Sequence, residues 1–146
     1  MLQPSPSTAS LFEAAGWKPQ ISGRVSDGEW TSAADVGRAV ISEFSGLLVG
    51  ATGAGREQAA GNVHFYTASR PEASVIVEAW RLQAGHLEAI ASAHNNHIIV
   101  FVSQDGTYYA FTDPDEQLYA IGQTFGGAME CLLLGLRFGP ALDRDA

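Results

Sequence analysis

Two strand-like segments joined by a tight turn are the feature that most constrains the fold of this chain. Residues 98–103 are rich in β-branched side chains, the pair Asp105-Gly106 is typical of a hairpin turn, and residues 107–111 return as a second strand. A second turn at residues 113–116 leads into a third strand at residues 118–121. Strands connected by such short turns are antiparallel. The sequence therefore predicts a three-stranded meander in the C-terminal half.

Two amphipathic helices are predicted to flank the strands. Apolar residues recur every fourth position from Val36 to Phe44, after a capping residue at Thr31 or Ser32. Thr124 likewise precedes a closing helix whose apolar face is almost unbroken. Helices with such stripes bury one face, so both are expected to pack on the sheet. The residues expected to point inward from the closing helix are Ala128, Met129, Leu132, Leu133 and Leu136.

Two further helices are predicted from their end signals. Residues 10–16 begin with a capping-box pattern and end at a glycine. Residues 69–84 begin with a serine, carry a proline in the first turn and a glutamate three residues after the serine, and are stopped by Gly85. The apolar stripe of this helix is expected to consist of Val75, Ile76, Ala79, Trp80 and Leu82.

These elements predict one α+β domain, with a mainly antiparallel sheet packed against about four helices. Additional strands are expected at residues 47–49 and 62–67, whereas the pattern of residues 86–90 leaves their pairing open. Residues 10–139 are predicted to form the domain. Residues 1–9 and 140–146 are predicted to be flexible tails.

The charge of the chain narrows the classes of partner. Lysine and arginine total 8 against 16 aspartates and glutamates, which gives a net charge of −8 and a pI near 4.8. This balance argues against binding to nucleic acid or to an anionic membrane, because phosphate contacts require clustered basic residues. An acidic surface instead suits a basic protein partner, although it also simply keeps a protein soluble. With no secretory signal and no membrane-spanning run, the protein is expected to be cytoplasmic.

No residue pattern in the chain is typical of a catalytic or cofactor site. Residues 50–61 are rich in glycine but lack the Gly-Lys-Ser/Thr ending of a phosphate-binding loop. His94 and His97 are too few to hold a metal ion, and Cys131 lies in an apolar stripe where it is expected to be buried. We therefore expect no enzymatic activity, no cofactor and no metal.

Several exposed acidic and aromatic residues are candidates for contact with a protein partner. Interfaces are enriched in aromatic side chains, and carboxylates provide charge complementarity to a basic partner. Tyr108 and its neighbour Tyr109 must point to opposite faces of their strand, so that one of them is available beside the acidic turn. The candidate partner-binding residues are Asp27, Glu29, Trp30, Tyr108, Asp113, Asp115 and Glu116.

Three short motifs resemble the SUKH superfamily, and are most similar to its third subfamily of bacterial immunity proteins. They are Ala-Gly-Trp at residues 15–17, Glu-Phe-Ser-Gly-Leu at residues 43–47, and the closing run from Ile121 to Gly135, which contains Ala-Met-Glu and Leu-Leu-Gly. They occur in the same order as in the family and span most of the predicted domain.

This resemblance implies an α+β domain without catalytic residues that binds and neutralises a cognate bacterial toxin, such as a nuclease. Acidic side chains would then mask the active site of the toxin in place of substrate phosphates. Two alternatives stay open at the level of sequence. One is a protein-interaction module unrelated to toxins, and the other is a binder of nucleotides or small ligands through residues 50–61.

Overall fold

The computed structural model describes residues 2–18, 32–113 and 115–143, and its strands form one antiparallel sheet in sequence order. The strands are β1 (Leu48–Val49), β2 (Val63–Phe65), β3 (Leu87–Ala93), β4 (Ile98–Ser103), β5 (Tyr108–Thr112) and β6 (Gln117–Gly122). The helices are α1 (Ala9–Ala14), α2 (Ala33–Phe44), α3 (Ser74–Ala79), α4 (Arg81–Ala84) and α5 (Phe125–Leu133), with a 3-10 turn at Pro71–Ala73. The predicted α+β class and the meander are confirmed.

Strand β3 contains most of residues 86–90, the segment whose pairing the sequence pattern left open. It pairs with β2 on one side and β4 on the other, so it lies inside the sheet and is longer than the sequence pattern indicated. The register shifts at a bulge between Ala89 and Ala91. Ser92 and Ala93, which lie outside the strand segments indicated by the sequence, belong to the strand, because hydrogen bonding to both neighbours outweighs their weak intrinsic preference for a strand.

Helices α1, α2 and α5 cover one face of the sheet. Val36, Val40 and Phe44 are fully buried there, as predicted, and the ring of Phe44 stacks on that of Phe125 with centroids 4.6 Å apart. The caps predicted at Ser32 and Thr124 are present, whereas the two predicted capping boxes are not. Helix α1 follows Thr8 and the 3-10 turn follows Arg70, and neither residue makes a side-chain cap. The Ser32 hydroxyl accepts a hydrogen bond from the backbone N–H of Asp35 at 3.1 Å, and the same role falls to Thr124 in α5. Helices α2 and α5 were predictable because each carries a local start signal and an apolar stripe.

The opposite face of the sheet is covered by α3 and α4. The predicted apolar stripe is confirmed there for Ile76 and Trp80, and it is wrong for Val75, Ala79 and Leu82, which are exposed. The chain leaves helical geometry at Trp80 (φ −110°, ψ 10°), and this break divides the predicted helix into two. Val77 and Trp80 are buried, whereas Val75 and Leu82 are 77% and 95% exposed. The described residues thus contain five α-helices, because the helix predicted over residues 69–84 is divided into α3 and α4. None of the helices in these ranges is long and apolar enough to cross a membrane.

Both predicted tails make contacts with the domain. Leu2 is 5% exposed within the main core, and Thr8 is fully buried. At the other end, Gly139 N donates to the carbonyl of Ala120 at 3.0 Å and Leu142 N donates to that of Leu118 at 2.8 Å. Residues 139–142 therefore extend the sheet beyond β6. The physical reason is that each segment contains an apolar residue whose burial is favourable. The polar composition of the rest of the segment masks this tendency in the sequence.

Candidate functional site

One end of the sheet brings together three connections. They are the loop at residues 50–61 between β1 and β2, the turn at residues 94–97 between β3 and β4, and the turn at residues 113–116 between β5 and β6. In an antiparallel sheet every second connection lies at the same end, which explains this grouping. We call this region the acidic end, because the third connection carries exposed carboxylates.

The acidic turn is held in place by backbone and side-chain hydrogen bonds. The backbone N–H of Asp113 donates to the carbonyl of His97 at 3.0 Å, which joins this turn to the neighbouring one. Asp115 accepts hydrogen bonds from the hydroxyl groups of Thr112 and Tyr119. Glu116 adopts a left-handed conformation (φ 55°) and its N–H donates to the carbonyl of Thr112 at 2.9 Å. Each of these three acidic residues thus takes part in a hydrogen bond that restrains its position.

The charges of this turn are not compensated locally. Asp113, Asp115 and Glu116 are exposed and form no ion pair within residues 2–18, 32–113 and 115–143. By contrast, Arg38, Arg70 and Arg81 each form an ion pair with a nearby carboxylate, as in Arg70 with Glu72 at 3.5 Å. Uncompensated carboxylates at a protein surface produce a negative potential that attracts cationic groups.

The turn between β3 and β4 has an unusual backbone. His94, Asn95 and Asn96 all have positive φ angles of 52°, 55° and 70°. Asn62 holds this turn by two side-chain hydrogen bonds to Asn95, and its own carbonyl accepts from the N–H of His94 at 2.9 Å. Residues other than glycine seldom adopt this conformation, and such departures concentrate at functional sites. The turn is therefore a second candidate functional feature at this end of the sheet.

The glycine-rich loop is used to cap α5 and not to present free donors. The N–H of Arg56 donates to the carbonyl of Leu134, and those of Glu57 and Gln58 both donate to that of Gly135. A phosphate-binding loop needs its N–H groups directed at the ligand. In this chain the donors that follow the glycines bind the end of the helix, which argues against the nucleotide-binding alternative.

An open pocket of about 270 Å³ lies between this loop, the β3–β4 turn and the end of α5. We call it the end pocket. Its deeper lining is apolar and consists of Ala93, Ile98, Cys131 and Leu132, all less than a tenth exposed. Gln58 and Ala59 lie at its exposed edge, and half-buried His94 and Phe138 complete the lining.

The end pocket contains no reactive thiol. Burial, with a smaller contribution from Glu57, raises the pKa of Cys131 to about 11. The thiol is therefore protonated at neutral pH and donates weakly to the carbonyl of Leu136 at 3.5 Å. Within the described ranges no group of three or more histidine, cysteine, aspartate or glutamate residues is arranged to hold a metal ion.

The structure separates the predicted partner-binding residues into three groups. Asp113, Asp115 and Glu116 lie together at the acidic end, as expected from their turn. Tyr108 is fully buried and its ring lies 6.0 Å from that of Phe125, so its selection as a contact residue is wrong. Its face of the strand points towards α5, and the half-buried Tyr109 points to the other side. Asp27, Glu29 and Trp30 lie outside the described residues.

Sequence reasoning missed the residues that shape the end pocket. Gly61 is one, because a Cβ atom there would lie 2.9 Å from Nδ1 of His94. Asn62 is another, since its bonds to Asn95 connect positions 33 residues apart. The asparagine pair at residues 95–96 did carry a signal, because asparagine tolerates left-handed backbone conformations. Asn62 became evident as the hydrogen-bond partner of Asn95 only from the pairing of β2 with β3.

Comparison with known proteins gives one positive result. The family model described as SUKH-3 immunity protein matches residues 4–135, which includes all the elements from α1 to α5. No match was found among curated proteins or among solved structures.

Proposed function

From the premise that this chain belongs to the SUKH-3 immunity protein family, we propose that it neutralises a cognate bacterial toxin by binding it directly through the acidic end. Toxin immunity is the role that the family indicates. The choice of surface is our addition, and the same proposal holds that the protein acts without catalysing a reaction.

The acidic turn is the observation that supports this choice most strongly. It presents the carboxylates of Asp113, Asp115 and Glu116 at the surface, where they form no ion pair within the described ranges. The whole chain also carries a net charge of −8, so its field favours a basic partner. Toxins that act on nucleic acids bind phosphates with clustered lysine and arginine. Carboxylates at this end would occupy those side chains and block access of the substrate.

The proposed mechanism is therefore electrostatic and steric masking. Complementary charge accelerates the encounter of two proteins and disfavours partners of the wrong sign. The family match supports toxin binding, and the charge of the acidic end supports a nuclease as the class of toxin. Inhibition would follow from occupation of the toxin's active site.

The direct test uses a candidate toxin domain encoded by a neighbouring gene. Expression of the toxin domain alone should stop growth of the host cells, and co-expression of this protein should restore growth. The purified proteins should bind with a sub-micromolar Kd in isothermal titration calorimetry. Binding without protection from the toxin would instead assign a general protein-interaction module, and absence of binding would refute the proposal.

A pair of matched variants tests the surface. Asp113→Asn combined with Glu116→Gln removes two charges from the acidic end and leaves the hydrogen bonds of Asp115 intact. Glu72→Gln combined with Glu78→Gln removes the same charge from the 3-10 turn and α3. The first pair should lower the association rate roughly tenfold at low salt. Equal rates for the two pairs would show that the toxin binds elsewhere.

A further inference from the structure

We propose that the end pocket receives one apolar side chain of the partner, and that basic residues flanking this side chain contact the acidic turn. The proposal rests on the proposed function, because the partner is the toxin. It adds a specific anchoring site and the chemistry of the segment that fills it.

The size and lining of the end pocket select this kind of occupant. The end pocket has about 270 Å³ and is open to solvent, which is at the lower limit of the range of about 300–1,000 Å³ for small-molecule sites and is sufficient for one side chain. Its deeper lining provides only the side chains of Ala93, Ile98, Cys131 and Leu132. With no charged group in that lining, the pocket suits an aliphatic or aromatic side chain better than a polar ligand.

The end pocket and the acidic turn form one continuous surface. Phe138 lines the pocket, and its ring lies 5.4 Å from that of Tyr119. The hydroxyl of Tyr119 in turn donates to Asp115 at 3.5 Å. On the neighbouring strands Ile98, another lining residue, pairs with Thr112, which directly precedes Asp113. A short peptide segment can therefore reach the pocket and the carboxylates together.

One wall of the pocket is fixed before any partner arrives. Gly61 allows the ring of His94 to approach closely, since a Cβ atom at position 61 would lie 2.9 Å from Nδ1. Asn62 holds the adjacent turn through its side chain and its carbonyl. Pockets that anchor a partner's side chain contribute most when they are preformed, because little conformational entropy is lost on binding.

The negative charge of the acidic turn favours a basic partner over a second copy of this chain. A symmetric dimer formed through this end would bring the carboxylates of Asp113, Asp115 and Glu116 towards those of the other copy. Like charges across an interface are destabilising. The occupant that fits both the pocket and the turn is an apolar residue between lysines or arginines.

Two synthetic peptides test the proposal without the toxin. One is acetyl-Lys-Lys-Phe-Lys-Lys-amide, and the other has glycine in place of phenylalanine. In titrations followed by NMR, the phenylalanine peptide should shift the backbone amide signals of Gly61, His94 and Ile98 in a saturable manner. The glycine peptide should bind about tenfold more weakly, since it buries no apolar side chain. Equal binding of the two peptides, or no binding of either, would overturn the proposal.

Occlusion of the pocket provides the matched control. Ala59→Phe enlarges an exposed residue at the pocket edge, and Ala54→Phe makes the same change in the same loop away from the pocket. Only Ala59→Phe should abolish the shifts caused by the phenylalanine peptide. Gln58→Trp is a second occluding variant if Ala59→Phe fails to fold. Unchanged shifts in the occluded protein would refute the pocket, whereas failure of the toxin to bind refutes the proposed function separately.

Discussion

Asn62 and Asn95 exchange two hydrogen bonds across the end of the sheet. Nδ2 of Asn62 donates to Oδ1 of Asn95 at 3.0 Å, and the backbone N–H of Asn95 donates to Oδ1 of Asn62 at 2.9 Å. This exchange satisfies a turn residue whose left-handed conformation prevents ordinary ladder pairing. It links the start of β2 to the turn after β3, and so positions one wall of the end pocket.

Replacement of Asn62 by alanine should destabilise the protein. The variant loses both side-chain bonds and leaves Asn95 dependent on water, which corresponds to about 1–2 kcal/mol in the free energy of unfolding. Urea denaturation measures this change. His64→Ala, an exposed position on the same strand, is the control and should change the free energy of unfolding by less than about 0.5 kcal/mol. Similar losses for both variants would contradict the role assigned to Asn62.

Two glycines of the same loop should respond differently to alanine. At Gly61 an added Cβ would meet His94 at 2.9–3.3 Å, whereas at Gly53 it would meet no atom within 4 Å. Gly61→Ala should therefore lower the free energy of unfolding by about 1–3 kcal/mol through overpacking. Gly53→Ala should be neutral or slightly stabilising, because alanine restricts the unfolded chain. Thermal unfolding of the two variants measures this difference. If Gly53→Ala proved more destabilising than Gly61→Ala, the turn would be free to move away from the added Cβ atom.

The hairpin turn between β4 and β5 should make stability depend on acid pH. Hydrogen bonds from the Ser103 hydroxyl and from the Thr107 N–H lower the pKa of Asp105 below its ordinary value of 3.8. A lowered folded-state pKa stabilises the protein at pH values above the unfolded-state pKa, and this stabilisation is lost as the pH falls through the folded-state pKa.

Asp105→Asn should therefore be less stable than the parent protein at pH 7, by less than about 1 kcal/mol because solvent screens this exposed carboxylate. The difference should shrink as the pH is lowered below about 4, where the parent carboxylate also becomes protonated. Urea unfolding at a series of pH values gives the measurement. Asp113→Asn is the control, because the side chain of Asp113 accepts no hydrogen bond within the described residues, and a constant difference at all pH values would argue against this origin.

The aromatic cluster under α2 and α5 should contribute strongly to stability. Phe125 is fully buried and stacks on Phe44 with an angle of 3° between the rings. Phe125→Ala should lower the free energy of unfolding by about 3–5 kcal/mol. Leu48→Ala, at a residue 56% exposed, should cost less than about 0.5 kcal/mol. Chemical denaturation of both variants tests whether this cluster is the centre of the main core.

The elements that sequence reasoning predicted well are those with local signals. The Asp105-Gly106 turn determined the hairpin between β4 and β5, and the capping residues Ser32 and Thr124 marked the starts of α2 and α5. In each case a few neighbouring residues carry enough information, because turns and caps depend on interactions over three or four positions.

The predictions that were wrong concern features that depend on contacts between residues far apart in the sequence. Trp80 turns into the second face of the sheet, and this breaks the helix and leaves Val75 and Leu82 exposed. The direction of Tyr108 depends on which face of β5 receives α5, which alternation along a single strand cannot show. The acidic turn was identified from its composition, but its connection to the end pocket depends on Phe138, which returns from beyond α5 to line that pocket.

The pairing of residues 139–142 with β6 has a consequence for the behaviour of the protein at high concentration. An exposed edge strand can recruit strands from other chains and begin aggregation. The C-terminal segment occupies this edge, and the other edge of the sheet, β1, is only two residues long. Within the described residues the sheet thus offers little template for addition of foreign strands, which disfavours aggregation through strand pairing.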